Sequence, residues 1–88
     1  MSGLGAYEVR LKASAEKEFH RLPAAVAARV VKAMLSLESQ PRRPGCKKLH
    51  GRDAYRFRVG DYRILYTIND PARTIEVVAI AHRKDAYR

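Results

Sequence analysis

Eighty-eight residues give room for a single domain spanning 1–88, because a chain this short does not divide its apolar residues between two cores. A hydrophobic share of 47% excludes a disordered chain, and one cysteine, Cys46, excludes an internal disulfide and suits a reducing cytoplasm. Eighteen Lys and Arg against nine Asp and Glu leave +9, which selects polyanions as partners, and no apolar run reaches the ~20 residues that span a bilayer.

The excess is uneven. Residues 1–40 hold six basic and four acidic side chains (+2), whereas residues 41–88 hold twelve and five (+7). Met1–Gly5 has neither the basic start nor the apolar stretch of a signal peptide, so a cytoplasmic location is expected, with no membrane partner.

In chain order, Tyr7-Glu-Val-Arg-Leu-Lys12 alternates apolar and polar residues and predicts a half-buried strand. Ser14 is the expected N-cap of a short helix running to about Arg21, with Glu16 and Glu18 near its positive end. Pro23 suits the first turn of a second helix over Ala24–Ser39. Its core stripe is Val26, Val30, Met34 and Leu37, widened by Val31 and Leu35. Gln40–Cys46 holds two prolines and a glycine and predicts a loop. Three β-rich runs follow, Tyr55–Val59, Tyr62–Ile68 and Thr74–Ala81, separated by Gly60-Asp61 and Asn69-Asp70-Pro71. The order β-α-α-β-β-β implies an α+β domain with two N-terminal-half helices packed on a four-stranded, mainly antiparallel sheet.

Strand alternation puts Arg56 and Arg58 on one face and Tyr55, Phe57 and Val59 on the other. If the apolar face meets the helices, both guanidiniums stand on the open side, and Arg63 joins them if the register of the next strand allows. Asp61, in the turn, is one candidate counter-charge. Clustered cations make physical sense when their counter-ion is external, and planar guanidiniums match phosphate oxygens in bidentate geometry. The alternative is an ordinary solvated strand face.

Tyr55-Arg-Phe-Arg-Val-Gly-Asp-Tyr-Arg-Ile-Leu-Tyr66 resembles the sheet motif of the RelE toxins in the RelE/ParE toxin–antitoxin superfamily. Lys47-Lys-Leu-His-Gly51 resembles that family's Lys-Leu-x-Gly lead-in, and Ala81–Arg88 its closing strand and terminal tyrosine, so the resemblance covers essentially the whole chain. It implies a RelE-like, microbial ribonuclease-like fold. It also implies an endoribonuclease that cleaves mRNA in the ribosomal A site and is restrained by a small acidic antitoxin of the RelB type. Operator DNA would be bound only by the toxin–antitoxin complex. Residue by residue, Arg56 and Arg58 match two basic strand positions that are often Lys. Arg63 matches the phosphate-contacting basic residue after Gly-x-Tyr, Arg83 the basic residue ending the last strand, and Tyr87 the terminal tyrosine. The spacing from Arg83 to Tyr87 is shorter than in some members.

RNA supplies its own nucleophile, the 2′-OH, so cleavage needs no covalent residue, metal or cofactor. The site must align that hydroxyl, assist its deprotonation, neutralise the phosphorane and protonate the leaving 5′-oxygen. Arginines suit charge stabilisation but not proton transfer, since their pKa exceeds about 12. Tyr87 among guanidiniums is the candidate general base, with packing on the sheet as its alternative. Arg83 is the candidate for leaving-group stabilisation. His82 adjoins it and is either a proton shuttle or an edge residue. Lys47, Lys48 and Arg52 form a second basic group that either contacts RNA phosphates or is a solvated loop. His50 faces RNA or solvent, and His20 closes a helix; with Cys46 these scattered residues do not make a zinc site. Two other functions compete: a non-enzymatic ParE-type toxin that inhibits DNA gyrase, and a plain nucleic-acid-binding module.

Overall fold

The computed structural model describes residues 7–49, 51 and 53–82. Strand β1 (Glu8–Leu11) leads into helices α1 (Ala13–His20) and α2 (Ala24–Ser36), then strands β2 (Lys47–Lys48), β3 (Ala54–Val59), β4 (Tyr62–Asn69) and β5 (Thr74–His82). The sheet order is β1-β5-β4-β3-β2. β1 runs parallel to β5, and every other pairing is antiparallel. The α+β class and the two-helix layer are as the sequence predicts, but the strands number five, not four. The extra one is β2, whose two lysines carry no strand pattern and are held by pairing Lys47 with Arg56 and Lys48 with Tyr55.

The core lies between the helices and one sheet face. Val30, Met34 and Leu37 of α2 and its C-terminal turn are buried with Phe57, Val59, Ile64, Tyr66, Ile75, Val77 and Ile80. Burying a large side chain of this kind contributes about 1.5–3 kcal/mol, and that burial drives the layers together. Val31 and Leu35 do not belong to the stripe: Leu35 is 57% exposed and Val31 38%. The helix meets the sheet along the Val30–Met34–Leu37 line, and these two point past its rim.

Ser14 is not the cap of α1. The cap position is Lys12, without a side-chain bond, and Ser14 lies inside the first turn, where its hydroxyl reaches the Val78 carbonyl at 3.4 Å. Its position follows from β5. β1 pairs only with Thr74–Val77, leaving the rest of that edge of β5 beside α1. The Lys12 amide donates to the Val77 carbonyl, and the Glu18 carboxylate accepts from the Ile80 amide at 2.9 Å. Helix α1 therefore satisfies strand-edge groups that would otherwise cost about 1–3 kcal/mol each when buried unpaired.

The β5 register also slips. Leu65 pairs with Ala79 but Tyr66 pairs with Val77, so Val78 is an extra residue, a β-bulge. Below it Ile75 and Val77 face the helices, and above it Ile80 and His82 do. Ala79 and Ala81 are thereby turned to the open face.

Val59 and Tyr62 face each other across Gly60-Asp61, a two-residue hairpin with Gly60 at φ +58°. A glycine first in such a turn, with positive φ, matches the twist of the flanking strands. A Cβ built on Gly60 would lie 2.6 Å from Nη2 of Arg29, which drapes over the turn from α2. Gly60→Ala is expected to destabilise the chain by roughly 1–2 kcal/mol from the αL penalty, with displacement of Arg29 added. Urea denaturation of the two proteins, compared at equal m-value, measures it.

Candidate nucleic-acid interface

The open face of the sheet is built from cross-strand rows. In one row Arg58 of β3 stands directly opposite Arg63 of β4, which stands opposite Ala81 of β5. In the next, Lys47 of β2 stands opposite Arg56, Arg56 opposite Leu65, and Leu65 opposite Ala79. Arg63 therefore shares the face of Arg56 and Arg58, because a two-residue turn leaves only one register. Lys47 joins them through the short strand that the sequence does not reveal.

Cβ atoms of directly opposed residues are about 4.5–5.5 Å apart, and like charges at that spacing destabilise a sheet. Here two such pairs, Arg58/Arg63 and Lys47/Arg56, occupy adjacent rows. Among the described residues no ion pair joins Lys47, Arg56 or Arg58 to a carboxylate. Asp61 is exposed at the hairpin turn and likewise forms no ion pair among the described residues. Three of these cations, Lys47, Arg56 and Arg63, border an open groove of about 620 Å³ that also takes in Lys48, Leu49, Leu65, Ala79 and Ala81. A smaller hollow of about 430 Å³ lies at the edge of β3, where β2 stops, and is bordered by Arg43, Pro44, Gly45, Lys47 and Phe57 with Arg56 and Arg58. Arg43 had no sequence signal. Its guanidinium lies 5.0 Å above the Phe57 ring and donates to Ser36 Oγ at 3.3 Å, which fixes it at this margin.

Other expectations divide. Lys48 lies 3.9 Å from Asp53 and pairs with Tyr55, so it is turned from the row that holds Lys47, though it borders the groove. His82 is on the helix-facing side of β5, opposite Tyr62, with the two rings 5.0 Å apart edge to face. It is not among the open-face cations, and the bulge at Val78 is the reason. Arg83, Tyr87, Arg52 and His50 lie outside the described residues.

A polar clip fixes the loop beside the groove. Arg42 forks onto Asp70 through Nη1 (3.4 Å) and Nη2 (3.0 Å) and donates from Nε to the Tyr55 hydroxyl at 3.1 Å. The Tyr7 hydroxyl donates to the same carboxylate at 2.5 Å. Beneath it Tyr66, fully buried, donates to the Pro41 carbonyl at 2.8 Å, and burial, then the neighbouring Cys46 thiol, pushes its pKa up. Asp70 is held below its usual carboxylate range, first by Arg42 and then by the Tyr7 hydroxyl. A depressed folded-state pKa adds stability that is present above the unfolded value, about 3.9, and is lost as pH falls through the folded value. Asp70→Asn should thus melt below the parent chain at pH 7, and the gap should close as pH falls below about 3.9. Thermal melts across that range measure it.

Comparison with known proteins places this arrangement. The family model described as the ParE toxin of type II toxin-antitoxin system, parDE, matches residues 9–87. Toxin RelG of Mycobacterium tuberculosis is 39% identical over 85 residues, covering 93% of this chain and 97% of that protein. The chain belongs to the RelE family of the RelE/ParE toxin superfamily. Toxin RelE of the same organism is 35% identical over 85 residues, covering 93% of this chain and 87% of that one. Among solved structures, the toxin-antitoxin complex RelBE2 of M. tuberculosis superposes with a TM-score of 0.79 at 32% identity, over 89% of this chain and 99% of that chain. The intact Escherichia coli RelBE complex gives 0.78 at 25% identity, over 88% of this chain and 96% of that chain. This RelE-family chain is thus a toxin of a type II toxin–antitoxin system.

Proposed function

We propose that this toxin is a ribosome-dependent, metal-independent endoribonuclease that cuts mRNA in the A site and thereby stops translation. The observation that carries the reading is the pair of adjacent like-charge rows, Arg58/Arg63 and Lys47/Arg56, on a sheet face that no helix among the described residues covers. Lys47, Arg56 and Arg58, which form no ion pair among the described residues, leave positive charge on that face for a polyanion to meet. Phosphates of a single RNA strand, spaced along an extended backbone, supply the opposite charge.

The chemistry needs only groups that this chain carries. The 2′-OH attacks the adjacent phosphorus, the bond to the 5′-oxygen breaks, and the products are a 2′,3′-cyclic phosphate (or 3′-phosphate) and a 5′-OH. Arg56, Arg58 and Arg63 stabilise the extra negative charge of the phosphorane. Arg83 stabilises the leaving oxygen, which takes its proton from water, and Tyr87 takes the 2′-OH proton. These last two assignments rest on the sequence. His82, turned to the helix side against Tyr62, takes no part. Lys47, Lys48 and Arg52 hold ribosomal or messenger RNA phosphates without reading sequence.

The partner that restrains the toxin is an acidic, RelB-like antitoxin that folds on binding. The +9 charge supports it, as does the fact that the solved relatives from M. tuberculosis and E. coli are toxin–antitoxin complexes. Operator DNA would be bound by that complex.

Induction in cells without antitoxin tests the reading against gyrase inhibition. Incorporation of labelled amino acid should fall within minutes while thymidine incorporation continues. The reverse order, with intact mRNA, would replace this reading with a ParE-type one.

A further inference from the structure

The open groove has an apolar part that the phosphate platform does not use. Leu65, Ala79 and Ala81 sit side by side on the open face, in the same rows as Arg56 and Arg63. All three are half-buried, and the helices pack on the other side of the sheet. They are there because of the bulge. Had Val78 kept regular register, alternation from Ile75 and Val77 would have turned Ala79 and Ala81 inward and Ile80 and His82 outward. The bulge therefore substitutes two methyl groups for a large aliphatic side chain and an imidazole.

Adjacent strands lie about 4.8 Å apart and same-face neighbours about 6.5–7 Å apart, so the patch is the size of one flat heteroaromatic ring system. The longer side chains of Arg56 and Arg63 rise around a floor of two alanines and one leucine, which makes the patch a shallow seat. Its borders are cationic, at Lys47, Arg56 and Arg63, so whatever occupies it joins a flat apolar face to a negative charge a few ångströms away.

We propose that Leu65, Ala79 and Ala81 seat a nucleobase of the RNA strand, whose phosphates lie on Arg56, Arg58 and Arg63. This rests on the endoribonuclease reading and adds a base-binding subsite to it. The seat itself has no hydrogen-bonding side chain, so it accepts any base and favours purines for their larger face. It lifts one base out of its stack, which frees the sugar–phosphate link beside it to adopt the in-line geometry that 2′-OH attack requires. A cation cluster alone would bind a phosphate chain in any register. A base seat fixes which phosphate meets the arginines.

The experiment titrates the full chain, labelled at alanine methyls, with inorganic phosphate, ribose 5-phosphate and adenosine 5′-monophosphate, read by NMR. All three should bind the cationic face, and the nucleotide should bind at least fivefold more tightly than the sugar phosphate. Ala79 and Ala81 methyls should shift with the nucleotide alone. Ala79→Leu, which fills the seat, should abolish that advantage while leaving ribose 5-phosphate affinity unchanged. Thr67→Leu, on the same face outside the seat, should keep the advantage, and a normal melt confirms that each variant folds. If the nucleotide and the sugar phosphate bind equally, or if Ala79→Leu leaves the nucleotide's advantage intact, the base seat is wrong and the phosphate platform stands. If none of the three binds to the folded chain, the platform falls with it.

Discussion

Arg63→Ala should remove growth arrest on induction and lower the rate of mRNA cleavage by about 100-fold or more, the loss typical of deleting one preorganised charge-stabilising donor. Arg63 stands directly across β3–β4 from Arg58, one row from the Lys47/Arg56 pair, and borders the groove itself. On the proposed reading, a phosphorane carrying one more negative charge than the ground-state phosphodiester would be met by these guanidiniums. Their strength lies in being fixed before the reaction begins. Arg63→Lys keeps the charge but loses the planar fork, so it should recover only part of the rate. The fold should survive both changes, because Arg63 lies on the open face and is not among the buried core residues. Cleavage assays beside thermal melts separate the two effects. An Arg63→Ala protein that folds and still arrests growth would mean that the chemistry lies elsewhere.

The second large effect is on stability. Phe57→Ala should cost about 3–5 kcal/mol, the usual range for deleting a buried aromatic ring. Phe57 is 3% exposed and meets the Tyr66 ring edge to face at 5.7 Å, and Arg43 covers it at 5.0 Å. It also lies between Arg56 and Arg58 in sequence, so the ring that anchors the inner face of β3 holds both arginines at their height on the outer one. For a domain of this size about 1 kcal/mol moves the melting temperature by 4–8 °C, so a fall on the order of 15–30 °C is expected. Native stability of small domains is about 5–15 kcal/mol, so much of this one's margin would be gone. Denaturant titration gives the number, and a cost under about 1 kcal/mol would show that β3 is anchored by other contacts.

The features that the sequence disclosed are those written in short-range pattern. The alternation of Tyr55–Val59 gave the two faces of β3, and Gly60-Asp61 marked the turn; that Arg63 falls opposite Arg58 came only with the register of β4. The α2 line Val30–Met34–Leu37 was legible because helical spacing repeats within three or four residues. Features that depend on contacts between distant segments were not legible. Two lysines in succession carry no strand signal, and β2 exists because Lys47 finds Arg56. In Thr74–Ala81 almost every residue is apolar, so nothing marks Val78 as the residue left out of register. That single slip moves His82 away from the arginines and brings Ala79 and Ala81 to the groove. Ser14 was misread for a related reason. The hydroxyl expected to cap its own helix is used by the strand carbonyl of Val78, and that contact depends on where β1 stops pairing.

The central claim is that this cationic sheet face cuts translated RNA through 2′-OH attack. The measurement that tests it most directly is transcriptome-wide mapping of new RNA 5′ ends shortly after induction, with ligation chemistry that distinguishes 5′-hydroxyl from 5′-phosphate. New 5′-hydroxyl ends should appear inside translated codons, absent when translation is blocked beforehand and absent with Arg63→Ala. Growth arrest with no new 5′-hydroxyl ends in coding sequence would contradict it.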